Sequence, residues 1–177
     1  MRQIVVILGA SLLLACSRGE RLAADSPKEA THGMTISSSA FTDGRSIPAK
    51  YTCDGGDTVP PLTFATIPPT AKSLALVVDD PDAPGGTFDH WIVWNVPPDT
   101  TGVAEGQEPK GVVGKNGFGK NGYGGPCPPR GEHRYFFKLY ALDGTLNLPP
   151  SSGKGDLEKA MKGHVLAQAQ MMGRYKR

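Results

Sequence analysis

Apolar residues in this chain fall into short runs with a period of two, interrupted by glycine and proline. Leu74-Ala75-Leu76-Val77-Val78 is a continuous apolar run, the pattern of a strand buried on both faces. From Phe88 to Val96 the chain alternates. Phe88, His90, Ile92, Trp94 and Val96 share one face, and Asp89, Trp91, Val93 and Asn95 share the other. Arg134 to Leu142 follows the same rule. His133, Tyr135, Phe137, Leu139 and Ala141 lie on one side, and Phe136, Tyr140 and Leu142 on the opposite side. Strands that are apolar on both faces belong in the middle of a layered β fold. Turn signals separate them: Asp43-Gly44, Asp54-Gly55-Gly56, Pro60-Pro61, Pro68-Pro69, Pro97-Pro98 and Asp143-Gly144. One segment has helical spacing instead. Leu157, Met161, Val165 and Ala169 recur every fourth residue and Met172 follows, which predicts a helix from about Asp156 to Met172. Asp156 and Glu158 suit its first turn, and Gly173 suits its C-terminal cap.

Composition sharpens this picture. With 23 glycines and 16 prolines, regular helix must be scarce and turns frequent. The chain has 177 residues, enough for one domain with a full core and a short leader. Its formal net charge is +2 and its basic residues are scattered, so no nucleic-acid surface is expected.

The leader is read as residues 1–16. Arg2 supplies a positive start, and Ile4 to Ala15 form an apolar stretch shorter than the ~20 residues a membrane-spanning helix needs. It ends Leu13-Leu14-Ala15-Cys16, which resembles a bacterial lipobox. The expectation is a lipoprotein signal peptide with Cys16 lipidated, and an envelope protein anchored to the membrane by its N-terminal lipid. In a cell with two membranes it would sit on the periplasmic face. Residues 17–33 read as a flexible tether, and residues 34–177 as the domain. Cys53 and Cys127 remain, an even pair in an oxidising compartment. The sequence leaves open one disulfide or two separate buried thiols.

Chemistry concentrates at two places. The first is Asp80-Pro81-Asp82-Ala83-Pro84, with Asp89-His90-Trp91 soon after. The second runs from Gly125 and Pro126 through Cys127-Pro128-Pro129-Arg130-Gly131 to His133-Arg134-Tyr135. Asp80 ends an apolar strand, where a carboxylate must find donors or protonate. If the strands are neighbours, Asp80 accepts a proton from an imidazole and fixes its tautomer, leaving the second nitrogen to a ligand. Tyr135 shares the face of His133 and offers a phenolic donor. Arg134 is expected to pair with Asp80 or Asp82. Gly117-Phe118-Gly119-Lys120-Asn121-Gly122 fits G-x-G-x-x-G. A dinucleotide fingerprint must open a helix, however, and this stretch runs into Gly125-Pro126 and Pro128-Pro129. No cofactor is therefore expected. Two His and two Asp are also the right types for zinc or iron, but neither H-E-x-x-H nor G-x-S-x-G accompanies them. A metal-dependent enzyme is the weaker reading.

These segments resemble the phosphatidylethanolamine-binding protein family, also called Raf kinase inhibitor proteins, and its bacterial YbhB/YbcL branch in particular. Asp80-Pro81-Asp82-Ala83-Pro84 matches the D-P-D-x-P motif. Gly131-x-His133-Arg134-Tyr135, with Gly125-Pro126 before it, matches G-x-H-R-Y. Further likenesses lie at Tyr51-Thr52-Cys53-Asp54-Gly55, Pro60-Pro61-Leu62 and Ala160-Met161-Lys162-Gly163-His164. The resemblance covers about residues 34–175. It implies a mainly β fold: an antiparallel two-sheet Greek-key β-sandwich with a C-terminal α-helix, few other short helices, and one cis-proline near Asp80–Pro84. It also implies an anion pocket at Asp80, Asp82, His90, Gly125, Pro126, His133 and Tyr135. Its ligands would be small anions or phosphorylated head groups such as phosphate and phosphoethanolamine, and most members are not enzymes. A homodimer and a protein partner also have precedent in the family. Inhibition of an envelope protease or a signalling partner through the rim loops is the alternative function.

Overall fold

A computed structural model of the protein describes residues 33–177. Cys16 and the leader, with the tether up to residue 32, lie outside the described residues. Eight strands form two antiparallel sheets. The small sheet holds β1 (Thr35–Ser37), β2 (Leu62–Ala65) and β5 (Gly102–Val103), in the order β1-β2-β5. The large sheet holds β3 (Ser73–Asp80), β4 (Phe88–Val96), β6 (Val112–Val113), β7 (Glu132–Leu142) and β8 (Val165–Lys176). Its order is β6-β4-β3-β7-β8, so β3 lies at the centre. A single helix, α1 (Lys154–Met161), and a 3-10 turn at Ala49–Tyr51 complete the described secondary structure.

Every residue of β3 is buried, as its unbroken apolar run requires. Its two faces feed two cores. Leu74, Leu76 and Val78 meet Ile36, Leu62 and Phe64 of the small sheet. Ala75 and Val77 face the other way and pack with Ile92, Trp94, Leu157 and Met161 under α1. The central strand is thus sealed from water by a sheet on one side and a helix on the other.

The long C-terminal helix predicted from about Asp156 to Met172 is not formed. The helix ends at Met161, and the chain turns at Gly163 with φ of +85°. It then runs as β8 against almost the whole of β7, from Leu142↔Val165 to Glu132↔Lys176. The physical reason lies in the spacing itself. Residues four apart share a face in a helix, but they also share a face in a strand of period two. Ala167, Ala169 and Met171 line the sandwich core as alternate residues of a strand. Gly173 continues that face, where a Cβ would collide with the side chain of Ile47. Leu157 and Met161 alone hold the helical part of the stripe.

The cis-proline implied near Asp80–Pro84 is also absent: no peptide bond among the described residues is cis. The turn closes by other means. Oδ1 of Asp80 accepts the Asp82 N–H at 2.8 Å, and Gly86, at φ +100°, donates its N–H to the Ala83 carbonyl.

Candidate functional site

The strict alternation read along β4 is broken twice. Val78 pairs with Trp91 but Asp79 pairs with Asp89, so His90 is an extra residue in the ladder. A second shift lies between Leu74↔Val96 and Leu76↔Val93, where Asn95 has φ of +55°. Each is a β-bulge, which re-aims the side chains beside it. Trp91 and Val93 therefore join the sandwich core, while Ile92 and Trp94 face α1. His90 does not follow Ile92 and Trp94 as the alternation predicts. It turns inward, with its ring 5.2 Å from that of Tyr135 on β7. Asp89 goes to the opposite face and lies 3.5 Å from Lys154 of α1. The first bulge is what brings His90 to the same side of the sheet as His133.

There His90 and His133 line one cavity of about 190 Å³ together with Asp80. All three are buried. Nδ1 of His133 donates to Oδ2 of Asp80 at 2.7 Å, so the carboxylate fixes that ring's tautomer as the strand ends suggest. Nδ1 of His90 donates to the Gly124 carbonyl at 2.7 Å. In both rings Nε2 is left as the nitrogen a ligand can use. Burial holds His90 below the ordinary histidine range, against the opposing pull of the Gly124 carbonyl and of Asp80.

The cavity wall is apolar and comes from two connections: Ala83 and Pro84 follow β3 and Phe88 opens β4, while Phe118, Cys127 and Pro129 stand in the glycine- and proline-rich loop from β6 to β7. Phe118 is 47% exposed, with its ring 4.8 Å from Phe88 and 5.6 Å from His90. Asn116 holds it there: its Oδ1 accepts the N–H groups of Phe118 and Lys120, and its Nδ2 donates to the Gly122 carbonyl. The G-x-G-x-x-G stretch is thus an asparagine-anchored turn that opens no helix. Its glycines make room for rings: a Cβ on Gly117 would lie 2.7 Å from Phe88, and one on Gly124 2.6 Å from Phe118. Phe88 and Phe118 were not among the predicted site residues. The lone aromatic in Gly117-Phe118-Gly119 was the available signal.

The remaining predicted residues surround the cavity without lining it. Asp82 forms a two-point ion pair with Arg134, at 2.8 Å and 2.7 Å. The Arg134 guanidinium holds its carboxyl at about 2. Gly125 spends its N–H on Oδ1 of Asp57 at 2.9 Å, and the Pro126 carbonyl accepts the Cys53 N–H at 3.2 Å. Gly125 borders a second hollow of about 130 Å³, which shares Phe118 and Cys127 with the first. Cys53 and Cys127 form a disulfide between these walls. Tyr135 is fully buried, and its hydroxyl has no hydrogen-bond partner of full geometry; the Cys127 backbone is its neighbour. Burial pushes that phenol well above its ordinary range.

A larger hollow of about 490 Å³ runs along residues 97–110, but its ionisable groups, Asp99, Glu108 and Lys110, are exposed. Among the described residues no three His, Cys, Asp or Glu side chains converge as metal ligands. Asp80 and Asp82, which the sequence offered with the two histidines, are directed to His133 and Arg134.

Comparison with known proteins agrees with this architecture. Residues 37–176 match the profile of the phosphatidylethanolamine-binding protein family. A UPF0098 protein of Methanothermobacter thermautotrophicus is 51% identical over 150 residues, covering 81% of this chain and 99% of its own. The crystal structure of a phosphatidylethanolamine-binding protein homolog, CT736, from Chlamydia trachomatis superposes with a TM-score of 0.79 at 45% identity, over 82% of this chain and 98% of its own. Escherichia coli YbcL, described as a member of the mammalian PEBP family, superposes with a TM-score of 0.77 at 31% identity, over 82% and 99%. With this fold and these matches, the chain belongs to the phosphatidylethanolamine-binding protein family.

Proposed function

We propose that this protein is a non-enzymatic binding module that takes small anions or phosphorylated head groups into the cavity between His90 and His133. The family fold supports a binding role in general, and its members are in general binding proteins. One observation carries the finer reading. Two buried imidazoles, each with Nδ1 engaged by the protein, share a cavity of about 190 Å³. That volume suits a phosphate-sized group and excludes a large substrate. Neither ring is paired with a serine or cysteine nucleophile, as hydrolytic chemistry would need.

The test is titration of the purified protein with phosphate and phosphoethanolamine, read from imidazole ¹⁵N shifts beside a His133→Ala variant. Saturable shifts at both histidines, lost in the variant, are expected. Unmoved resonances in the wild-type protein would remove the reading.

Phe118 motivates a second role. An aromatic ring 47% exposed at a cavity mouth is a candidate contact for a protein partner, in keeping with an inhibitor that binds through its rim. A Phe118→Ala variant that captures the same partners as wild type would dispose of it.

The envelope location is proposed from the leader alone. Labelling cells with a fatty acid probe, with Cys16→Ser as control, tests it: label that persists in the variant counts against lipidation at Cys16.

A further inference from the structure

We propose that the Cys53–Cys127 disulfide is a thiol-exchange site of fixed polarity: an incoming thiolate is received at Cys53, and Cys127 departs as the thiolate. The partner is a thiol, carried by a small molecule or by a protein dithiol. The inference is independent of what the imidazole cavity binds.

Which sulfur of a disulfide is attacked depends on access to it and on the stability of the thiolate expelled from the other. Here both favour one direction. Cys53 opens a run of exposed residues, Cys53 to Asp57, whereas Cys127 is half-buried between the buried prolines Pro126 and Pro128. A thiolate reaches Cys53 from solvent without passing the loop that holds its partner. Leaving-group stabilisation lies on the Cys127 side. Nη1 of Arg177 donates to Sγ of Cys127 at 3.9 Å, and Nε of the same guanidinium lies 3.0 Å from Oδ1 of Asp54. The other oxygen of Asp54 accepts the Tyr175 hydroxyl at 2.7 Å, so the arginine is anchored where a charge on Cys127 would develop. A cation beside a cysteine favours its thiolate. The other titratable groups around Cys127 are Asp80, His90 and His133 in one hollow, Asp57 and Lys120 in the other, and Tyr135. Both of those carboxylates are spent, on His133 and the Asp82 N–H and on the Gly125 N–H.

The bond is also backed by contacts that do not need it. The Cys53 N–H donates to the Pro126 carbonyl, the Gly125 N–H to Asp57, and the Tyr123 hydroxyl to the Tyr51 carbonyl at 2.8 Å. These three hydrogen bonds join residues 51–57 to residues 123–126 on either side of the sulfurs. With the bond open, the two Cα atoms stay near their separation of 5.4 Å, poised to close again. A purely structural cross-link has no need of such support. Cys127 lines both hollows, so exchange here alters their common wall.

The chemistry balances. The incoming thiolate forms a bond to Sγ of Cys53 as the Cys53–Cys127 bond breaks, and the electron pair leaves on Sγ of Cys127. A second thiolate, from another molecule or from the same dithiol, then displaces Cys53 as its thiolate. The two incoming thiols are oxidised to a disulfide and the cysteine pair is reduced by two electrons.

The test uses the full chain as Cys16→Ser, so that the third cysteine cannot compete. The oxidised protein meets glutathione in native buffer, is quenched in acid and alkylated, and is cut with trypsin, which places Cys53 in residues 51–72 and Cys127 in residues 121–130. Glutathione on Cys53 with the alkyl label on Cys127 is expected. A C-x-x-C protein lacking its second cysteine is the other probe, and its rate of capture at Cys53 against that of glutathione tells which source the site prefers. Dithiothreitol is expected to open the bond in native buffer within ~10-fold of its rate in denaturing urea, whereas a bond reached only through unfolding would lag by ~1,000-fold or more. In Cys53→Ser the Cys127 thiol should titrate below about 8.5, and adding Arg177→Gln should raise it. Adducts on Cys127 or spread over both sulfurs, opening that waits on unfolding, or a Cys127 titration that ignores Arg177, would each overturn the proposal.

Discussion

Nδ1 of His133 lies 2.7 Å from Oδ2 of Asp80, and both side chains are buried. The other oxygen, Oδ1, accepts the Asp82 N–H, so one carboxylate joins the end of β7 to the turn after β3. Asp80→Ala leaves the buried His133 Nδ1–H and the half-buried Asp82 N–H without acceptors. It is expected to lower the free energy of unfolding by about 3 kcal/mol. Asp80→Asn keeps an acceptor and should recover more than half of that loss. Urea unfolding of both variants checks this; equal loss in the two would mean that shape and not hydrogen bonding sets the cost.

Two groups give the protein's stability distinct pH windows. His90 is held below its unfolded value of about 6.5 by burial, so the unfolded chain binds more protons just below that pH. Stability contributed by neutral His90 is complete above about pH 6.5 and declines as pH falls. Asp82 is held at about 2 by Arg134. Its contribution is present above the unfolded value of about 3.9 and is lost as pH falls towards about 2. Thermal midpoints measured across the acid range should show His90→Gln flattening only the first decline, and Asp82→Asn only the second. A single shared decline removed by either variant would contradict this separation.

Gly125 is expected to matter for space and not for binding chemistry. A Cβ there would lie 2.6 Å from the Tyr51 carbonyl oxygen and 2.8 Å from Cα of Thr52. Backbone cannot yield as a flexible side chain does, so Gly125→Ala should cost about 2–3 kcal/mol. The pH dependence of ligand affinity should be unchanged in the surviving fold, as calorimetry at two pH values would report.

The disulfide joins residues 74 apart in sequence, Cys53 and Cys127. Closing so long a loop restricts the unfolded chain, and its removal is expected to cost about 2–4 kcal/mol. Cys53→Ser with Cys127→Ser should lower the denaturation midpoint, and reductant should bring wild type to the same value. A midpoint insensitive to reductant would show that the bond contributes little.

The parts of this molecule written as local pattern were legible in its sequence. The apolar run at Leu74–Val78 is the buried central strand, and the pairing of Asp80 with an imidazole follows from a carboxylate placed at that strand's end. The parts that depend on a neighbour were not legible. Whether residues 165–172 continue a helix or form a strand is decided by β7, which needs a partner along its outer edge. Spacing by four fits both answers. His90 was placed on the wrong face because a bulge is visible only once β3 and β4 are in register. Gly125 was read as part of the anion pocket; that its missing side chain also accommodates the Ala49–Tyr51 turn and Asp57 was not legible, because those neighbours are distant in sequence. Phe118 was overlooked because an exposed phenylalanine in a loop has meaning only beside Phe88 and His90.

The late position of β8 in the chain has a consequence for biosynthesis. β7 carries His133, and β8 pairs along nearly all of it. The segment near Ser46 also docks on β8 rather than on any earlier strand, through Gly44 to Met172 and Ile47 to Arg174. A ribosome making this protein from its N-terminus releases the residues around Ser46 and His133 before the strand they share. Neither can settle until residues 165–176 have emerged. The cavity beside His133 thus cannot mature before β8 is made, and until then the polypeptide stays incompletely folded and open to chaperones.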